Sequence, residues 1–208
     1  MFSKYKNRDE KQNLSCNYGA KNTNALVALT KVLGVSSQQL KSKWCEQLLY
    51  KLYIIHNKFK NAHFSICLEN LKVDKNNNLV LINVSDCQDK SLKKEASTQR
   101  DVRFKAPELI KCNEKSKAGD IWATGICIYF IINYTFPWKA ATESDKNFCL
   151  WANNGTFPLN MNSCYTRVLN KMLCVDSEMR PSIKNVFRIM YDKGIDKNVI
   201  SKLCLLKF

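Results

Sequence analysis

Apolar residues at intervals of three and four predict two helices in the first third of the chain. The first lies within residues 24–34 and stops at Gly34, a residue type that commonly ends helices. The second is long and amphipathic, is capped by Ser36 or Ser37, and ends at His56. The apolar positions of the two helices are Leu26, Leu29, Val32 and Leu33, then Leu40, Trp44, Leu48, Leu52 and Ile55.

A short β-hairpin is predicted next, because the pattern changes to alternation. Leu71 and Val73 alternate with polar residues, residues 74–78 form a turn, and residues 79–82 resume as a strand. From residue 106 onward the apolar spacing is again helical. We therefore expect a mainly α fold that contains one short β-hairpin.

The longest apolar run is IWATGICIYFII, residues 121–132. It is too short to cross a bilayer and is typical of a helix buried on all sides, so we expect no transmembrane segment. The first residues are polar and show no secretory signal, which favours a reduced cytoplasmic or nuclear location. The ten cysteines form no CxxC pair, and His56 and His63 are not at zinc-ligand spacing, so no metal site is expected.

The composition suits one domain with a sizeable core, since 45% of the 208 residues are hydrophobic. The charge is strongly positive at +15, from 33 basic against 18 acidic residues. Such a surplus attracts acidic partners, which include nucleic acids, anionic membranes and acidic protein surfaces, without choosing among them.

Five short motifs follow one another along the chain: HFSICLEN at 63–70, NVS at 83–85, APE at 106–108, DIWATG at 120–125 and RP at 180–181. Their order is similar to that of the motifs in the C-terminal lobe of eukaryotic protein kinases. The first, HFSICLEN, resembles the catalytic loop of that family, and the second resembles the Asp-Phe-Gly motif. The others resemble the end of the activation segment, the start of the central buried helix and a late Arg-Pro pair.

The stretches 136–158 and 167–190 further resemble the SBK family of serine/threonine kinases, with a Phe-Pro-Trp and an Asp-x-x-Phe in the first of them. The resemblance covers roughly residues 25–195, which we expect to form a kinase-like C-terminal lobe. Residues 1–24 are then a flexible basic arm, too short for an N-terminal lobe, and residues 196–208 are a C-terminal tail. The expected fold is a C-terminal lobe whose N-terminal lobe is absent.

The resemblance implies that the residues supporting this lobe are retained. Glu108 and Arg180 should form a buried ion pair, for which the planar guanidinium is suited. Asp120 should cap its helix and accept backbone N–H bonds from the catalytic loop. The full set of implied structural residues is Ala106, Pro107, Glu108, Asp120, Trp122, Gly125 and Arg180.

The residues that would carry out phosphoryl transfer are mostly replaced. The resemblance places the catalytic base at Ser65, the phosphate-binding lysine at Cys67 and the magnesium carboxylate at Asn83. A serine hydroxyl is not a base at neutral pH, and an amide is a weak ligand for a hard cation. Asn70 alone keeps the residue of the family pattern, while His63 is its structural histidine.

Other acidic side chains near these positions do not restore the chemistry. Asp86 and Asp89 are displaced along the chain and read better as solvated loop residues, and Glu69 has no metal role in the family pattern. Ser85 stands where the Asp-Phe-Gly motif has its glycine, the residue that gives the activation segment its backbone freedom. The sequence also lacks a Gly-rich loop and the lysine of the nucleotide site. We expect no cofactor, and ATP with magnesium only if Asn70 and Asn83 keep residual binding.

Three functions follow as hypotheses. The first is a catalytically inactive, truncated pseudokinase that binds a protein partner, either a kinase or a kinase substrate. The second is a fragment or decayed copy of a serine/threonine kinase with residual ATP binding. The third is a basic module for nucleic acid or a membrane surface, although no aromatic RNA motif supports it. Its basic residues include Lys90, Lys93, Lys94, Arg100, Arg103 and Lys105.

Overall fold

The computed structural model describes residues 26–83, 101–155, 157 and 165–191. Within them a small sheet precedes a set of packed helices, so the mainly α expectation is confirmed. The strands are β1 (Val27–Ala28), β2 (Leu71–Val73) and β3 (Leu79–Leu81). The helices are α1 (Leu29–Leu33), α2 (Gln38–Tyr53), α3 (Pro107–Cys112), α4 (Lys117–Asn133), α5 (Lys146–Asn154), α6 (Thr166–Met172) and α7 (Ile183–Tyr191).

Several predictions fall outside these residues. They are the basic arm at 1–24 with the missing N-terminal lobe, the tail at 196–208, and residues Ser85, Asp86, Asp89, Lys90, Lys93, Lys94 and Arg100. Across the part of the chain that is described, every helix is too short or too polar to span a membrane.

The sheet has three antiparallel strands in the order β1-β2-β3. The predicted hairpin is present, with Leu71 opposite Leu81 and Val73 opposite Leu79, and these four side chains are buried. Residues Val27 and Ala28 were expected to be helical but pair with β2 instead, so the first helix begins only at Leu29. Antiparallel pairing with the free edge of β2 gives the backbone groups of these two residues partners in the sheet.

The predicted long helix is confirmed as α2, with Ser37 as its cap. The Ser37 hydroxyl oxygen accepts a hydrogen bond from the Leu40 backbone N–H at 3.3 Å. The buried stripe includes Trp44, Leu48 and Leu52. The helical path does not end at His56 but continues as a π-helix over Ile54–Lys58.

The apolar run forms the centre of helix α4 and is buried on nearly all sides. Its cap is Ser116, whose side-chain oxygen accepts the Gly119 N–H, so the expectation that Asp120 caps this helix is wrong. Asp120 is the fourth residue of the helix and so lies inside it, past the capping position. Its carboxylate accepts hydrogen bonds from the loop at residues 63–70, described below. At Gly125 the helix approaches the end of α6 closely: an added Cβ would lie 2.9 Å from Leu173 Cδ2 and 3.4 Å from Met172 Cβ.

Replacing Gly125 with alanine is expected to lower the free energy of unfolding by about 1–3 kcal/mol, because the new methyl overpacks fully buried neighbours. Gly119→Ala is the matched control in the same helix. The nearest atoms to its added Cβ are 3.9 Å away, so alanine should be neutral or stabilising there by roughly 0.5–1 kcal/mol. Urea denaturation of both variants measures the difference, and equal stabilities would contradict the packing argument.

Candidate active-site loop and its support

The loop at residues 63–70 is anchored to helix α4 by hydrogen bonds to the carboxylate of Asp120. Oδ2 accepts the His63 backbone N–H at 2.6 Å, and Oδ1 accepts the Phe64 backbone N–H at 2.8 Å. The same Oδ2 lies 2.9 Å from Nε2 of His56. The residues Asp120, His56 and His63 are all buried. One buried carboxylate therefore joins the π-helix, the loop and helix α4.

Backbone geometry explains why the loop needs this anchor. Phe64 has φ 59°, a left-handed conformation that costs energy for a bulky side chain. Two consecutive N–H groups directed at one carboxylate over-determine that conformation. Buried His63 adds a local bond, since its Nδ1 accepts the Ser65 N–H at 3.2 Å. Lys117 donates to the His56 carbonyl at 2.9 Å and ties the π-helix to the start of α4.

Side-chain amides connect the two ends of the site. Asn70 donates through Nδ2 to the Ser65 carbonyl at 2.7 Å, which leaves its Oδ1 to face Asn83. Asn83 donates through Nδ2 to that Oδ1 at 2.9 Å, and its own φ is 61°. The structure thus brings together three sequence-predicted positions, Ser65, Asn70 and Asn83, in one hydrogen-bonded chain.

Cys67 lies at the position where the family pattern has a lysine. Burial raises the pKa of its thiol to about 11, so the group is neutral at pH 7. The one carboxylate of residues 63–70 belongs to Glu69, which is exposed. In the parts of the chain that the structure describes, His, Cys, Asp and Glu side chains form no group of three suited to a metal ion.

The ion pair of Glu108 and Arg180 supports the lobe away from the loop. The two side chains meet in a bidentate pair, with Nη1 to Oε1 at 2.6 Å and Nη2 to Oε2 at 2.7 Å. Arg180 also donates to the carbonyl oxygens of Cys174, Ala118 and Val175. All five guanidinium N–H donors are thereby used.

The other implied structural residues surround this pair. Ala106 is buried just before α3, and Pro107 is its first residue, where the missing N–H costs nothing. The Arg180 guanidinium lies over the Trp122 ring, with its Cζ atom 4.9 Å from the ring centroid, and adds a cation–π contact. Gly125 makes the close helix contact described above.

Sequence reasoning missed two residues that hold the loop, His56 and Lys117. Their partners lie about one third of the chain away, and no local pattern marks them. A polar residue near the end of the buried stripe of α2 was the one available signal for His56.

Comparison with known proteins places these motifs in a family. The protein kinase domain family matches residues 4–191. The chain is 23% identical over 167 residues to 3-phosphoinositide-dependent protein kinase B of Dictyostelium discoideum, covering 77% of this chain and 18% of that protein. It is 28% identical over 101 residues to serine/threonine-protein kinase SBK1 of Danio rerio, covering 41% of this chain and 26% of that protein.

A further relative is the inactive tyrosine-protein kinase kin-32 of Caenorhabditis elegans. It is 27% identical over 96 residues, which cover 44% of this chain and 11% of that protein. The matches thus span about a quarter or less of the length of these three relatives. Together with the match over most of the sequence, the anchored loop and the Glu108–Arg180 pair, they support one conclusion: the chain belongs to the protein kinase domain family.

Proposed function

We propose that this chain is a catalytically inactive member of the family that acts by binding a protein partner. One observation carries the proposal: the two amides at the metal-binding positions, Asn70 and Asn83, are hydrogen-bonded to each other. A magnesium ion needs oxygen ligands and favours carboxylates, whereas Asn83 presents an N–H donor to the amide oxygen of Asn70. The residues present do not fit the ion.

The rest of the loop points the same way. Ser65, at the position of the catalytic base, has no carboxylate to accept a proton, and its N–H and carbonyl are engaged by His63 and Asn70. Cys67 supplies no positive charge for a phosphate. The anchor at Asp120 and the Glu108–Arg180 pair remain, so the framework of the lobe persists without its chemistry. That one relative is itself named an inactive kinase agrees with this proposal.

A thermal-shift titration with ATP and magnesium tests the loss of the nucleotide site. We expect no change in the melting temperature up to millimolar nucleotide, because the proposal holds that the nucleotide site is lost. A ligand that did bind the folded state would stabilise it by about 2.7 kcal/mol at a hundredfold excess over its dissociation constant, which the assay would detect. ATP without magnesium and magnesium without ATP are the controls. A shift that requires both together would contradict the proposal and favour a kinase copy with residual nucleotide binding.

Replacing Asn83 with aspartate is expected to create a response to magnesium. The new carboxylate would face Asn70 Oδ1, whose orientation is held by the bond from Nδ2 to Ser65, and a cation between these oxygens would relieve the repulsion. At tenfold excess over its dissociation constant, magnesium should stabilise this variant by about 1.4 kcal/mol, measured by thermal unfolding.

Asn83→Ala is the matched control, because it removes the same hydrogen bond without adding a carboxylate. Neither it nor the unsubstituted chain should respond to magnesium. If Asn83→Asp were also indifferent to magnesium, the identity of residue 83 would not be what excludes the ion.

A further inference from the structure

Helices α6 and α7 each carry a pair of cations on their outer side. Arg167 and Lys171 lie four residues apart on α6, and Lys184 and Arg188 lie four residues apart on α7. Residues at this spacing share one face of a helix. All four residues are exposed, so each helix presents two positive charges to solvent.

The two pairs of cations belong to one surface. The apolar sides of α6 and α7 lie in the same hydrophobic core, and the two helices pack against each other. The buried residues are Val168, Leu169 and Met172 on α6, and Ile183, Val186, Phe187 and Met190 on α7. The outer sides of the helices therefore adjoin and form a basic face, defined by Arg167, Lys171, Lys184 and Arg188.

The charges of the basic face are not neutralised by the residues around them. Neither helix contains an aspartate or glutamate, and within the described residues no carboxylate lies at ion-pair distance from these cations. The loop between the helices has two exposed carboxylates, of which Asp176 is engaged by the N–H of Glu178. The sequence after α7, residues 192–208, is itself basic, with four lysines against two aspartates. The four cations are therefore available to an external anion.

The chemistry of the basic face suits phosphate groups. Its remaining exposed residues are Asn170 and Asn185, so it offers ammonium, guanidinium and amide N–H donors. These are the donors that contact phosphate oxygens in nucleic-acid complexes. Among the described residues of α6 and α7, no large apolar side chain is exposed. The face thus lacks the anchor that a protein interface, a lipid bilayer or an unstacked base would use.

We infer that the basic face binds double-stranded nucleic acid through its phosphates. A duplex carries one negative charge per about 1.7 Å of its axis, whereas the two cations of each helix lie about 6 Å apart along the helix, so each pair spans several phosphates. The bases of a duplex stay stacked and need no apolar partner. The net charge of +15 favours the encounter with such a polyanion. The inference goes beyond the proposed function and does not depend on it.

Salt-dependent fluorescence anisotropy with the full chain and a labelled DNA duplex of about 20 base pairs tests this inference. The variant carries glutamine at all four positions of the basic face. Each phosphate contact contributes about 0.9 to the slope of log K against log salt, so the slope should become less steep by about 3.6. Between about 50 and 200 mM salt, the unsubstituted chain should then lose roughly 150-fold more affinity than the variant.

The matched control carries glutamine at four exposed lysines elsewhere and has the same net charge as the variant. Its positions are Lys58, Lys75, Lys139 and Lys146. The slope of this control should change by less than about 1. An equal change in both proteins would mean that total charge, and not the basic face, holds the duplex, which would overturn the inference.

All eight substituted residues are exposed, so both proteins should fold, and thermal unfolding checks this. If the fourfold variant does not fold, the single substitutions Lys171→Gln and Lys184→Gln give the same test, since each should reduce the slope by about 0.9. A slope unchanged in both single variants would contradict the inference.

Three other anions separate the duplex from competing partners: phosphatidylcholine vesicles with about 30% phosphatidylserine, polyglutamate, and one strand of the same DNA. We expect the duplex to bind about tenfold more tightly than each of them, because its charge density is higher than that of a single strand. Tighter binding of vesicles or polyglutamate would assign the face to a membrane or an acidic protein, and equal binding of the single strand would exclude a preference for the duplex. Each of these results would overturn the inference while leaving the ATP titration unaffected.

Discussion

Replacing Glu108 with alanine is expected to lower the free energy of unfolding by about 3–5 kcal/mol. The substitution leaves the Arg180 guanidinium, whose side chain is 0% exposed, without its counter-charge, and an uncompensated buried charge is costly. Three backbone carbonyls still bind the guanidinium, but they are dipoles and do not replace a carboxylate. Chemical denaturation, followed by tryptophan fluorescence, measures the loss.

Lys111→Ala is the control for this effect. Lys111 lies 3.5 Å from Glu143 in an ion pair whose side chains are 62% and 87% exposed, so its loss should cost no more than about 1 kcal/mol. A Glu108→Ala variant as stable as Lys111→Ala would show that the buried pair contributes little beyond its desolvation cost.

Replacing Asp120 with asparagine should cost at least about 3 kcal/mol, since hydrogen bonds to a charged acceptor are strong and the replaced oxygen becomes a donor facing a donor. The His63 and Phe64 amides cannot both be satisfied by one amide oxygen, and the left-handed conformation at Phe64 loses its support. Two measurements follow the change: the free energy of unfolding, and hydrogen exchange of these two amides.

Asp176→Asn supplies the comparison, because Asp176 is exposed and accepts one local N–H from Glu178. Its effect should stay within about 0.5 kcal/mol. Full protection of the His63 and Phe64 amides in Asp120→Asn would mean that the loop holds its shape without the carboxylate.

The parts of the fold that the sequence predicts well are those that depend on local pattern. The continuous apolar run identifies α4 as a buried helix, and the stripe of Trp44, Leu48 and Leu52 identifies α2. Alternation at Leu71 and Val73 identifies the hairpin. Each signal lies within a few residues and records burial, which is the main determinant of these elements.

The parts that it predicts poorly depend on distant partners. Val27 and Ala28 form a strand because β2, more than forty residues later, offers a free edge. The resemblance to the family indicates that Asp120 accepts N–H bonds from the loop, as it does from His63 and Phe64, but nothing in the sequence shows that Ser116 caps the helix in its place. The geometry of Asn70 and Asn83 was also out of reach, since the motif alone indicates their positions and not the bond between them.

The five bonds of Arg180 also bear on the lifetime of the folded chain. They join α3, the start of α4 and the loop after α6, and the partner Glu108 is 72 residues away along the chain. Because closing so long a loop costs chain entropy, we expect these contacts to form late in folding, after the segments that carry them have assembled. Interactions that are absent from the folding transition state slow unfolding rather than speed folding. We therefore expect the Arg180 bonds to slow unfolding of the lobe more than they speed its folding.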